Sequence, residues 1–457
     1  MLNGTLLVLF ERTRSAPVPS VALFAGAYLI GYAIPILWFP ESLGNIPTDV
    51  TRSMAQWALR GFSMFALAYF ITATGSRRRE AKAQWRGGRL AYASFSYMIF
   101  GLVAIGSWLF NFVVYGAGLT FIEGRSYEAG SETVRQILAL LSEMKYAYLF
   151  GYLLLRKSGH IRNVHHALFI AVTGIILADI ILIGSKAAII KPLIIVVLSM
   201  TLTKVQRIKW ANVVGVAFVV AACFFSFSVI TEYRHIVRSV VSSGQGVVDT
   251  ATRVESFKQA VQAAISLPGS QRETEVEGED VAARLGSGAF GLGWIFHFTQ
   301  GVSPYENPIS SLLAPLHALV PRFLWEDKPI FFNSGRYATE YFGWRYGGVS
   351  ISLLGSLYFA WGYLGILAGM AFTGFLLARL SVRIEQQGLI VAGSVALFTV
   401  MFLHLMDVGA EFQPIVVNLT RVVIFIGTIR VIWTIHSRLH ARSHFESSLR
   451  TKGGAHD

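Results

Sequence analysis

Apolar runs of about 20 residues recur along the whole chain, near positions 18–39, 54–74, 91–121, 136–155, 167–184, 187–203, 211–230, 350–378, 389–407 and 414–435. Wound as a helix rising about 1.5 Å per residue, a run of this length matches the roughly 30 Å hydrocarbon layer of a bilayer. In hydrocarbon a helix satisfies its own backbone N–H and C=O groups, so the ten runs predict an all-α polytopic membrane protein with about ten transmembrane helices. Composition agrees: the 457 residues are 54% hydrophobic and only 14% charged, against roughly 25% charged in a soluble domain. The mean hydropathy is +0.54. An ordinary cytoplasmic enzyme is excluded. The single cysteine, Cys223, lies inside an apolar run, which leaves no internal disulfide and no cysteine-based metal site.

The net charge of +13 is informative through its distribution, because basic residues flanking spans set orientation. With a cytoplasmic N-terminus, the inside connections hold Arg77, Arg78, Arg79, Lys82, Arg86 and Arg89, then Arg156, Lys157 and Arg162, then Lys204, Arg207 and Lys209. Later inside segments add Arg379 and Arg383, and the tail adds Arg438, Arg442, Arg450 and Lys452. Short outside connections carry only Arg52, Arg125, Arg135 and Lys186. Both termini are therefore expected in the cytoplasm, with the positive charge serving the membrane rather than nucleic acid. Residues 1–10 are too short for a signal peptide and no small-residue cleavage site follows, so the first span is expected to be retained.

The chain divides into an N-terminal membrane region at 1–230, a long exterior loop at 231–349, a C-terminal membrane region at 350–435 and a cytoplasmic tail at 436–457. Within the loop, Val247, Ala251, Val254, Phe257, Val261 and Ala264 recur at helical spacing opposite Asp249, Arg253, Glu255, Lys258 and Gln262. That pattern predicts an amphipathic helix lying on the membrane surface. The acidic run Glu273, Glu275, Glu277, Glu279 and Asp280 reads as a solvated loop tip, with divalent-cation binding as its alternative. The apolar stretches 289–298 and 309–319 are of interfacial or re-entrant length.

Three groups of residues are candidates for chemistry. Arg60, Lys145, Asp179, Lys191, Asp407 and Arg421 are charges within spans; each is expected to face a wet cavity or a partner, or to snorkel from a span end. Arg234 and Arg238 lie four apart at the opening of the loop, beside Glu232 and His235. On one helix face they would clamp a phosphate or anchor lipid headgroups. The third group is the proline-bracketed string Pro321-Arg322-Phe323-Leu324-Trp325-Glu326-Asp327-Lys328-Pro329 with Arg336, Tyr337 and Glu340 beyond it, a rigid turn mixing cations with aromatic rings. Such a mixture suits a sugar site or a structural interfacial belt. His404, Asp407 and Glu411 form a smaller constellation, read as an oriented imidazole base or as an interhelical contact.

The 321–329 string resembles the PR-x-x-W-x-x-K-P signature of Wzy-type O-antigen and exopolysaccharide repeat-unit polymerases. Gly355, Tyr358, Gly362 and Gly365 resemble that family's G-x-x-Y-x-x-x-G-x-x-G element, and Gly184-Ser185-Lys186 resembles its Gly-Ser-Arg element. Lys186 stands where arginine is common and Glu326 where proline is common. The resemblance implies a metal-independent, cofactor-free glycosyltransferase of the GT-C type in a bacterial inner membrane, polymerising undecaprenyl-pyrophosphate-linked oligosaccharide. A flippase and a chain-length regulator are its implied partners. Under that implication Arg234, Arg238, Arg322 and Arg336, supported by Lys186 and Lys328, hold pyrophosphate. Trp325 and Tyr337 meet sugar, and Glu232, His235 or Glu340 serves as base. An O-antigen ligase needs the same clamp and is the nearest rival. A lipid-linked oligosaccharide transporter, for which paired repeats are the expected sign, and a non-catalytic sensor or scaffold are rivals of other classes.

Overall fold

The structure, a computed structural model, describes residues 18–38, 46–80, 88–115, 129–157, 161–183, 186–202, 250–266, 287–299, 351–387, 392–407 and 410–453, with isolated residues between 229 and 240 and between 313 and 325. Every regular element among them is helical: α1 (Val18–Tyr28), a π-helical segment (Leu29–Ala33), α2 (Ile34–Trp38), α3 (Thr48–Glu80), α4 (Gly88–Tyr115), α5 (Ala129–Lys157), α6 (Asn163–Ile183), α7 (Lys186–Leu202), α8 (Thr250–Ser266), α9 (Ser287–Thr299), α10 (Ser352–Gln387), α11 (Ala392–Met406) and α12 (Phe412–Gly453). Nine of the ten apolar runs fall on these helices; the run at 211–230, apart from Val229, lies outside the described residues. Among the described residues, four stretches are long and apolar enough to cross a membrane: Ala91–Val113, Ile137–Arg156, Ser352–Ile384 and Phe412–Arg438. Shorter apolar helical stretches lie at Phe24–Leu37, Asn163–Asp179, Ile190–Ser199 and Ala392–Met406. Large apolar side chains such as Ile71, Ile170, Leu364 and Val431 stand exposed on the helix faces, as lipid contact requires. The protein is an all-α membrane protein.

Side-chain contacts fix the helix directions. Gly101 sits against the Tyr148 ring and Gly151 against the Tyr97 ring, which makes α4 and α5 antiparallel. The pairs Ser94 with His165 and Trp108 with Asp179 make α4 and α6 parallel. In α11 and α12, Gly393 meets Ile426 while His404 meets Asn418, an antiparallel pair. Alternation of this kind gathers the exposed Arg156, Arg162, Arg379, Arg383 and Arg438 at helix ends of one side. Trp108, Asp179, Lys191, His404 and Asn418 fall toward the other.

The predicted span at 350–378 is not one straight helix. Its backbone breaks at Trp361 (φ −138°, ψ 16°) and Gly362 (φ 61°, ψ −152°), the latter in a region open essentially only to glycine. The chain reverses there, so Leu357 lies against both Gly365 and Gly369, eight and twelve residues further on. A Cβ on Gly365 would overlap the Leu357 carbonyl oxygen, and one on Gly369 would overlap the Leu357 side chain. The motif glycines are thus a folding device. The first arm, residues 351–360, is buried throughout. Ser352 Oγ accepts from the Gly355 N–H at its start (3.3 Å), and Ser356 Oγ accepts from the Phe412 N–H at the head of α12 (2.8 Å).

The second arm runs parallel to α3, with Trp57 stacked on Tyr363 (4.2 Å) and Gly374 against the Phe65 carbonyl. Helix α9, from the 289–298 stretch, packs into the same core through Leu292, Ile295 and Phe296, the last against Tyr358 at 4.2 Å. At 13 residues it is about 20 Å long, too short to span.

Helix α8 forms where the amphipathic pattern predicts it, but its buried face is rotated. Arg253, assigned to the polar side, is 1% exposed, while Val254 is exposed. Arg253, Ser256 and Ala260 face inward, and Ala260 packs with Val229, Tyr233 and Val237. The buried Tyr233 hydroxyl lies near the Arg253 guanidinium on this inward face. Burial pushes the Tyr233 phenol up, and the guanidinium only partly offsets that.

Gly374→Ala is expected to destabilise the protein by about 1–3 kcal/mol through overpacking on Phe65. Gly106→Ala, whose Cβ meets nothing within 4 Å, should be neutral or stabilising. Thermal unfolding of detergent-solubilised protein checks both; equal midpoints would contradict the tight α3–α10 contact.

Candidate functional site

The chemistry-bearing groups inside the bundle converge on a paired-charge cluster. Lys145 of α5 forms an ion pair with Asp179 of α6, both nearly completely buried. Asp179 uses its other oxygen to accept from the Trp108 indole N–H of α4 at 2.7 Å. Three helices are therefore tied at one carboxylate. Beside this pair, Lys191 of α7 forms a second ion pair with Glu143 of α5, and here both side chains keep about a quarter of their surface exposed (23% and 24%, against 6% and 6%). The Tyr146 ring lies between the two ammonium groups, 5.3 Å from Lys145 Nζ and 5.6 Å from Lys191 Nζ. His404 lies near Glu143, and Asp407 near Lys191.

Local sequence explains the placement. Glu143 and Lys145 sit in the apolar run of α5, and each ion pair neutralises a charge that would cost roughly 2.5–3.5 kcal/mol alone at mid-bilayer. In α7, Pro192 follows Lys191 and lacks the N–H that would bond the Ala188 carbonyl. His404 donates from Nδ1 to the Val400 carbonyl (2.8 Å), which fixes the neutral tautomer, so Nε2 accepts from Asn418 Nδ2 at 3.0 Å. Both ring nitrogens are engaged. Of the two sequence readings of His404, the structure has the interhelical contact.

An apolar groove of about 480 Å3 runs between the α1–π–α2 unit and α3, lined by Tyr28, Leu29, Tyr32, Ile36, Leu59 and Phe62 among others. The π-turn explains part of its width. Pro35 cannot donate in the regular ladder, and the Ile34 N–H reaches back five residues to the Leu29 carbonyl. Tyr28, anchored by its hydroxyl to the Ala58 carbonyl at 2.8 Å, and Tyr32 also line a small pocket with Phe24, Leu353, Leu405, His404 and Asp407. The groove and the small pocket that holds His404 and Asp407 thus share the two tyrosines. Among the described residues no three His, Cys, Asp or Glu side chains come together as metal ligands.

Of the residues singled out from the sequence, Glu232 is half-buried beside Tyr233, and Trp325 is half-buried and edge-on to His317 at 5.0 Å. The Val320 N–H bonds the His317 carbonyl (3.1 Å), a turn just before the proline-bracketed string. Lys186 is the first residue of α7, five before Lys191, and its side chain lies outside the described residues. Arg234, His235, Arg238, Arg322, Lys328, Arg336, Tyr337 and Glu340 lie outside them too, as does the acidic run 273–280. Arg60 is exposed, its guanidinium 4.6 Å over the Trp57 ring, in the manner of a snorkelling residue. Sequence reasoning paired no partner with Lys191 and missed Glu143, although a carboxylate two residues before Lys145 in an apolar run was the available signal. Comparison of the chain with family models, curated proteins and solved structures finds no match.

Lys145→Met should cost about 3–5 kcal/mol, because it strands Asp179 as a buried anion. Adding Asp179→Asn should recover most of that loss. Midpoints of thermal unfolding for the single and double variants check this, and an additive double variant would show that the pair is not coupled.

Proposed function

We propose that the protein is an integral-membrane glycosyltransferase that polymerises undecaprenyl-pyrophosphate-linked oligosaccharide repeat units. The observation that carries the reading is a lipid-facing apolar groove that shares Tyr28 and Tyr32 with a small pocket lined by His404 and Asp407, residues that lie near the Lys191–Glu143 pair. An amphiphile with a long hydrocarbon tail and an anionic head fits that arrangement, and a polyprenyl pyrophosphate is such a molecule. The resemblance of Pro321–Pro329 and of Gly355, Tyr358, Gly362 and Gly365 to polymerase elements supplies the reaction class.

In this reading the end of the bundle opposite the exposed arginines faces the exterior of a bacterial inner membrane, and both termini are cytoplasmic. The donor arrives already activated, so transfer requires a cationic hold on the leaving pyrophosphate, a base for the acceptor hydroxyl, and exclusion of water. Arg234, Arg238, Arg322 and Arg336 belong to the segments on the same exterior side and supply guanidinium forks for phosphate oxygens. Trp325 and Tyr337 offer ring faces to sugar.

Purified protein incubated with a synthetic undecaprenyl-pyrophosphate-linked repeat unit is expected to give a ladder of oligomers on a gel, undiminished by chelator. No ladder, but single transfer on addition of lipid A core, would convert the reading to a ligase. No product with either acceptor would overturn it.

A further inference from the structure

The two ion pairs of the cluster are not equivalent, and their difference has a chemical consequence. Lys145–Asp179 is sealed: both side chains are 6% exposed, and the Trp108 indole holds the second carboxylate oxygen. Lys191–Glu143 is only partly buried, with about four times that exposure on each side, and among the described residues no third side chain is hydrogen-bonded to either partner. An ion pair that remains partly hydrated separates at lower cost than a dry one, since its charges regain solvent as they part. The groups facing it are Lys145 on its own helix, Asp179 on α6, His404 on α11 and Asp407 just beyond the end of α11. Both lysines of the cluster are already paired with carboxylates. A phosphate that binds a lysine here does so in exchange for its carboxylate.

We infer that Glu143 is the general base of this site, held in reserve by Lys191, and that a phosphate or pyrophosphate group released it by displacing it from Lys191. The inference rests on the function proposed above. When the head group binds, Lys191 Nζ turns to a phosphate oxygen and the Glu143 carboxylate is set free beside it. The carboxylate then takes the proton of the acceptor sugar hydroxyl as that oxygen forms its bond to the anomeric carbon of the donor. The bond from that carbon to the pyrophosphate oxygen breaks, and its electron pair leaves with the polyprenyl pyrophosphate, whose charge Lys191 offsets. Glu143 returns its proton to solvent when the product departs and the ion pair re-forms. Coupling of this kind keeps an unpaired carboxylate out of the apolar bundle until substrate is present.

The test separates binding from turnover, using full-length protein in detergent with radiolabelled undecaprenyl pyrophosphate for binding and the lipid-linked repeat unit for polymerisation. Glu143→Gln is expected to bind undecaprenyl pyrophosphate several-fold more tightly, since the competitor for Lys191 is gone, yet to polymerise at least about 100-fold more slowly, the usual contribution of a general base. Lys191→Met should weaken binding about tenfold or more, and Lys191→Arg should restore it. Inorganic pyrophosphate competing with the same order of affinities across the variants would place recognition in the head group, whereas competition by the lipid alone would place it in head and tail together; either agrees with exchange at Lys191. Weaker binding by Glu143→Gln, or polymerisation at the wild-type rate, overturns the inference. Binding is read whether or not polymer forms, so wild-type protein that binds but makes no ladder defeats the glycosyltransferase reading, and with it the base, while the binding order across variants still decides the exchange. Gel filtration confirms that each variant is folded, and Glu143→Asp, which retains the carboxylate, serves as a second variant expected to keep part of the turnover.

Discussion

A charge inside hydrocarbon must have a partner, and the Lys145–Asp179 pair is where this chain meets that demand most completely. Because Asp179 accepts from both Lys145 and Trp108, one carboxylate holds α4, α5 and α6 in a fixed relation. Lys191 then finds Glu143, two residues before Lys145 on α5, which brings in α7, and His404 of α11 and Asp407 just beyond it lie near the same place. The ionic groups are concentrated toward one side of the bundle, opposite the exposed arginines. A bundle with no interior charge would have no such polarity.

The break in α10 serves the same end. A straight helix from Ser352 would carry its first turns past the other helices, whereas reversal at Trp361–Gly362 lays a buried arm beside Gly61, Gly365 and Gly369. Leu353 of that arm closes the small pocket in which His404 and Asp407 meet Tyr28 and Tyr32. Broken and half-length segments at membrane depth persist only where protein covers their backbone, and here α3, α9 and the head of α12 do so.

How much of this was legible in the sequence follows from the physics of each signal. Apolar run length reports helix position directly, so nine runs met helices; it does not report direction of travel, so the reversal at Gly362 read as continuous span. The charges Lys145, Asp179, Lys191 and Asp407 stood out because hydrocarbon makes them costly. Their pairing did not, because partners 34 and 48 residues apart are chosen by helix packing. Arg253 was misassigned for a related reason: helical periodicity counts an arginine as outward, and its burial beside Tyr233 is set by packing across the gap. The π-turn before Pro35, and the groove it helps open, left no sign in hydropathy.

Everything proposed for the cluster requires that its end of the bundle open on the exterior, and cysteine labelling reads this directly. In a Cys223→Ser background, Asp407→Cys and Ser437→Cys place single thiols at exposed positions toward the two opposite ends. Labelling of spheroplasts with a membrane-impermeant maleimide is predicted to modify Asp407→Cys at once and Ser437→Cys only after lysis. The reverse pattern would contradict the account.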